Sequence, residues 1–146
     1  MASSLKERAL RLLARREHSR RELGRKLAAH VEDPAEIERV LDECEARGWL
    51  SESRVVEQVV HARRRRFGTR RIERELLEKG ISEEAVAAVL PELKSGELAA
   101  ARGVWRRRFG KEPRTAAERA RQVRFLQGRG FNLEVILRLI KSRDEG

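Results

Sequence analysis

Apolar residues recur along this chain at helical spacing, three and four apart, with charged residues filling the intervals. Leu5, Ala9, Leu12 and Leu13 fall on one stripe, and Ile37, Val40, Leu41 and Cys44 form another. Leu133, Ile136, Leu137 and Ile140 repeat the spacing at the far end. Strand signals are scarce, since Tyr is absent, Thr stands only at 69 and 115, and no run alternates cleanly. The polar punctuation agrees with helices. Ser4 with Glu7, Ser19 with Glu22, and Thr115 with Glu118 each fit a capping box, in which hydroxyl and carboxylate satisfy free amides at a helix start. Asp33-Pro34 reads as an N-cap followed by proline in the first turn. Gly48, Gly68, Gly80, Gly110 and Gly130 stand where a left-handed residue closes a helix. The chain is predicted to be all-α.

The helix openers repeat. Ser19 begins "SRRELGRKL", Thr69 begins "TRRIERELLEKGI", and Thr115 begins "TAAERARQVRFLQGRGF", at spacings of 50 and 46 residues. Each follows a longer helix and precedes another, over 34–47, 82–90 and 132–141. This predicts an elongated, curved array of three tandem three-helix repeats, divided as 1–50, 51–92 and 93–146. Two near-identical words, "RRRRFG" ending at Gly68 and "RRRFG" ending at Gly110, then close the first helices of the second and third repeats. Val56, Val59, Val60 and Phe67 form the predicted core stripe of one, and Leu98, Ala101, Trp105 and Phe109 that of the other. Arg63 takes the place of Trp105 on that wheel, so it either runs its stem along the core or pairs with a carboxylate.

Repetition explains the spelling of these words but not their charge. The chain has 146 residues, 40% of them charged, and a formal net charge of +10, with 28 Arg against 6 Lys. Cations in a last helical turn favour the helix C-terminus, yet one or two would suffice for that. Arg64, Arg65 and Arg66, with Arg70, Arg71 and Arg74 just beyond, exceed that need, as do Arg106, Arg107 and Arg108. Polarity is also uneven: nine acidic residues lie between Glu32 and Glu57, and ten basic ones between Arg102 and Arg129. These nine arginines are the candidate contacts for a nucleic acid or an acidic protein surface.

Other chemistry finds little support. His18, His30 and His61 stand apart from any ligand-spaced partner, so no metal site is expected. His18-Ser19 suggests a nucleophile pair, but Ser19 serves as a cap and no third orienting group can be placed, so no catalytic residue is expected. No glycine-rich phosphate loop follows a strand, and no cofactor is expected. Cys44 is the only cysteine and sits at a core position. Trp49, Trp105 and the four phenylalanines are spaced as core residues. No stretch has the length of a membrane span and "MASSLKERALRLL" lacks a signal-peptide run, so a cytoplasmic protein, monomeric when free, is expected.

Four segments carry a resemblance: "ALRLLARREHSRRELGRKL" (9–27), "ECEARGWLSESR" (43–54), "RRRRFGTRRIERELLEKGI" (63–81) and "RFLQGRGFNLEVI" (124–136). Together they resemble the RecX family, bacterial regulators of the RecA recombinase. The most specific matches are Arg16, His18-Ser19, Glu22-Leu23 and Lys26-Leu27, then Arg71-Ile72, Glu75-Leu76 and Lys79-Gly80-Ile81. The resemblance implies a non-enzymatic modulator that lies in the groove of the RecA–DNA filament and suppresses ATP hydrolysis, strand exchange and co-protease activity, with DNA contacts secondary. The alternative is a stand-alone helical nucleic-acid-binding protein that grips phosphate without a protein target.

Overall fold

A computed structural model describes residues 4–140, and among these it holds eight helices and no strand. They are α1 (Leu5–Arg15), α2 (Arg20–Ala28), α3 (Pro34–Ala46), α4 (Glu52–Arg63), α5 (Thr69–Glu78), α6 (Glu83–Arg108), α7 (Ala116–Gly128) and α8 (Leu133–Leu139). Their starts follow the polar punctuation: Ser4, Ser19, Asp33, Ser51, Ser82, Thr115 and Asn132 each accept an amide of the first turn. Of the three expected capping boxes only Ser19–Glu22 closes in both directions. The Glu118 carboxylate takes the Arg114 amide instead, one residue too early for the box.

Three cores follow one another along the chain. Leu5, Ala9, Leu23, Leu27, Leu41 and Cys44 join α1, α2 and α3. Val56, Val59, Ile72, Leu76, Val86 and Leu93 join α4, α5 and the first half of α6. Ala101, Val104, Leu126, Phe131, Ile136 and Ile140 join the second half of α6 to α7 and α8. Each fully buried Leu or Ile stabilises its unit by about 1.5–3 kcal/mol, which is what holds helices too short to persist alone.

Three three-helix units are thus built from eight helices, because α6 serves two of them. The helix expected to end at Leu90 instead continues through Pro91 for 26 residues. Proline there gives the Ala87 carbonyl no donor and costs roughly 3 kcal/mol. Burial of Val86, Leu93, Ala101 and Val104 along a single helix, in two cores at once, outweighs it. The buried line of α6 accordingly runs Leu93, Glu97, Ala101, Val104; of the expected stripe Ala101 is buried, while Leu98, Trp105 and Phe109 are half-buried. In α8 likewise Ile136 and Ile140 face the core, while Leu133 and Leu137 are exposed. Four of the five expected glycines have positive φ; Gly68, at −82°, does not.

The two junctions between units share one device. The second arginine of an opener packs against the glycine that ends the middle helix of the next unit: Arg21 lies against Gly80, and Arg71 against Gly130. A Cβ on Gly80 would stand 2.7 Å from the Arg21 Nε, and one on Gly130 would stand 2.4 Å from the Arg71 Cβ. The third opener has Ala116-Ala117 where the first two have arginine pairs.

Candidate functional site

The word "RRRRFG" is a turn, not a helix end. α4 stops at Arg63, the chain bends through Arg64–Phe67, and Gly68 becomes the N-cap of α5 in extended conformation. Gly68 is required for a different reason than helix closure. A Cβ on it would meet the Gly130 carbonyl oxygen at 2.3 Å and the Phe131 Cα at 2.4 Å. The two main chains touch, and Gly68 N donates to Arg129 O at 2.8 Å while Arg70 N donates to Gly130 O at 3.2 Å. Since glycine offers α5 no side-chain cap, the carboxylate of Glu97 reaches across from α6 and accepts from Thr69 N at 2.9 Å. Glu97 is only 4% exposed, a buried carboxyl group seated at a helix start.

This backbone weld brings the two basic words together. The Arg107 guanidinium donates to Arg65 O at 3.0 Å, and Arg129 donates to Arg66 O at 3.4 Å. Aromatic rings alternate with the cations. Arg71 lies 4.4 Å from the Phe67 ring, Arg129 lies 5.2 Å from both Phe67 and Phe125, and Arg108 lies 5.1 Å from Phe125. Phe109 meets Phe125 edge-on at 5.5 Å. Such contacts contribute about 0.5–1 kcal/mol each where exposed, and they also restrict long side chains to a few rotamers. Arg65, Arg66, Arg107, Arg108 and Arg129 line an open cleft of about 540 Å³ over Val104 and Phe125.

The nine candidate arginines are all exposed, but they do not form one surface. Arg65, Arg66, Arg107 and Arg108 share the junction cleft. Arg64 pairs with Glu92 at 3.4 Å. Arg71 is engaged by Phe67 and Gly130. Arg70 and Arg74 line a separate cleft with Glu73 and Glu78, and Arg106 faces another with Arg102 and Arg138. Arg63 resolves to its ion-pair alternative, bound to Glu75 at 3.1 Å. Arg129 joins the cleft from outside the two basic words. Alignment of "Lys79-Gly80-Ile81" with "Arg129-Gly130-Phe131" carries the signal, since Lys79 also reaches back across a junction, to Glu22 at 3.4 Å.

The first junction is built differently. Arg54 bridges to Glu17 at 2.8 Å and to the Gly48 carbonyl at 2.7 Å, and Arg21 donates to Glu78 O at 3.4 Å. Behind them His18 is buried. Its Nδ1–H donates to Arg16 O at 3.0 Å, which leaves Nε2 to accept from the Lys26 ammonium at 2.9 Å. Burial first, then the neighbouring Arg16 and Lys26 cations, hold His18 below the ordinary histidine pKa and neutral. Burial raises Glu22, but the Ser19 amide, Arg16 and Lys79 together bring it down to about 2. The specific resemblance residues Arg16, His18, Glu22, Lys26 and Lys79 are therefore one hydrogen-bonded network. On the outer face Arg20 holds Glu45, Asp42 and Glu38 of α3, and Glu45 above all raises its pKa. No group of His, Cys, Asp or Glu among the described residues is placed to hold a metal, and no described helix is long and apolar enough to cross a membrane.

Sequence profiles of the first, second and third three-helix domains of RecX match residues 6–44, 51–90 and 96–140 of this chain. The chain belongs to the RecX family. Among curated RecX relatives, the regulatory protein RecX of Leptothrix cholodnii is 55% identical, over 97% of this chain and 90% of its own length. That of Ralstonia nicotianae is 49% identical, over 97% and 89%. The crystal structure of RecX from Lactobacillus salivarius superposes with a TM-score of 0.80, covering 97% of this chain and 96% of that one. At 16% identity that likeness shows the fold.

Proposed function

We propose that this RecX-family chain is a regulator, chiefly an inhibitor, of the RecA recombinase, binding along the groove of the RecA–DNA filament and suppressing its ATPase, strand exchange and co-protease activity. It acts in the cytoplasm as a monomer, without a cofactor and without catalysing a reaction. Relatives up to 55% identical over nearly the whole chain are regulatory proteins by name, which supports a regulatory role here. The observation that carries the contact surface is the junction cleft, where Arg65, Arg66, Arg107 and Arg108 gather beside Arg129 with no carboxylate among the described lining residues. Arg64, Arg70, Arg71, Arg74 and Arg106 lie outside that cleft and are proposed as further, separate contacts. Arginine suits both targets available on such a filament, because its planar fork makes paired hydrogen bonds to phosphate and to carboxylate.

The test is a titration of RecA's DNA-dependent ATP hydrolysis, on preformed and on growing filaments. Inhibition is expected at or below one chain per RecA protomer, in salt where free DNA is barely bound. No effect at any ratio removes the RecA reading. A second reading, a stand-alone nucleic-acid binder, is favoured by the third unit's charge, twelve Lys and Arg against four acidic residues over 93–140. It predicts instead a log–log salt slope of about 0.9 per phosphate neutralised.

A further inference from the structure

We propose that the junction cleft is a base-blind oxyanion site that takes two or more adjacent phosphate groups, with Arg129 as a full member and the phenylalanines as stiffeners of its arginines. This rests on the basic surface of the proposed function but assigns it a ligand chemistry and a place. Three observations lead there.

The described lining carries no carboxylate. The cleft holding Arg70 and Arg74 contains Glu73 and Glu78, and the one holding Lys111, Arg114 and Arg121, which Arg108 also borders, contains Glu112 and Glu118. Five guanidiniums line the junction cleft with no carboxylate among its described lining residues. A concave surface of one sign raises the local potential and concentrates counter-ions of the other. The size also fits: about 540 Å³ lies within the range of small-ligand sites and far exceeds one phosphate group.

Three of the arginines, Arg107, Arg108 and Arg129, are aimed beforehand. The carbonyls of Arg65 and Arg66 each take one N–H of Arg107 and Arg129, and the rings of Phe125 and Phe67 flank Arg108 and Arg129. A guanidinium held at one edge presents its remaining donors in a fixed direction, so less side-chain freedom is lost on binding.

The rings themselves are taken. Stacking on a nucleobase needs a free aromatic face. Phe67 and Phe125 are half-buried and already contact cations, and Phe125 also meets the edge of Phe109. What remains for a ligand is N–H donors, which read phosphate oxygens and not bases.

Isothermal titration of the full chain with inorganic tripolyphosphate tests the site without any base. Saturable binding is expected, weakened about tenfold or more in R65A/R66A and unchanged within about twofold in R25A/R39A, a pair of exposed arginines of the first unit, with melting temperatures of both variants near the parent's. R107K/R129K keeps the charge but loses the fork, and is expected to weaken binding too. No saturable binding by the parent chain, or equal weakening in R25A/R39A, overturns the proposal. Displacement of tripolyphosphate by an abasic oligonucleotide assigns the cleft to a strand backbone. Failure to displace assigns it to a free oligophosphate, and both keep the oxyanion site. An oligonucleotide whose affinity for the cleft depends on its bases overturns the base-blind assignment. RecA ATPase inhibition, measured on the same variants, bears on the regulatory reading alone: its survival in R65A/R66A leaves the cleft standing and removes it from that role.

Discussion

His18 and Glu22 stand four residues apart, and both are held below their ordinary pKa values. His18 stays neutral between two cations, and Glu22 stays ionised between the Ser19 amide, Arg16 and Lys79. A group whose folded pKa is lowered contributes stability that is complete above its unfolded value and disappears as pH falls through the folded one. Thermal melts are therefore expected to hold level above pH 6.5, the ordinary histidine value, and to decline below it as His18 is forced to take a proton beside Lys26. A second decline is expected between pH 4.5 and about 2 as Glu22 protonates, on the order of 2 kcal/mol after allowance for solvent screening. His18→Gln should abolish the upper decline and leave the lower. A melt profile unchanged by that substitution would show that His18 is not the upper titrating group.

At the level of elements, the helices were legible because each carries its own apolar stripe and, α5 apart, its own capping side chain. α6 was not, because its continuity is decided by two cores that only the folded molecule brings to one rod. Pro91 is exposed, so its ring contributes little packing to set against the missing hydrogen bond. Pro91→Ala should restore the donor to Ala87 and stabilise the chain by about 1–3 kcal/mol in denaturant melts; a loss of stability would mean that Pro91 itself is needed for the two cores to meet along α6. α8 shows a subtler limit. A run as apolar as Leu133–Ile140 has more than one candidate stripe, and the docking angle chose Ile136 and Ile140 over Leu133 and Leu137. Gly68 was expected to close a helix because glycine after a basic turn usually does. Its real constraint comes from Gly130, sixty-two residues later, which no local pattern contains. The same distance hid Arg129, whereas Arg65, Arg66, Arg107 and Arg108 were visible as words.

Across the whole molecule the two junctions differ in kind. The second joins units through a continuous helix, touching backbones and a buried Glu97, none of which salt screens effectively. The first relies on side-chain bridges such as Arg54–Glu17 and Lys79–Glu22, individually worth about 0–1 kcal/mol near the surface. Raising salt toward 1 M should increase hydrogen exchange in α2 and the start of α4 while leaving α5 and α7 protected. Gly68→Ala should do the reverse, loosening α5 against α7 by about 1–3 kcal/mol, because the added carbon has only backbone to displace. Uniform loosening in both experiments would deny the asymmetry.

The openers also carry an instruction about extension. An incoming module seats its glycine on the guanidinium stem that the previous opener provides, and Ala116-Ala117 provides none. Lengthening this scaffold by grafting a further copy behind the third would need more than a linker. It would need Ala117→Arg first, so that the added copy finds a mooring.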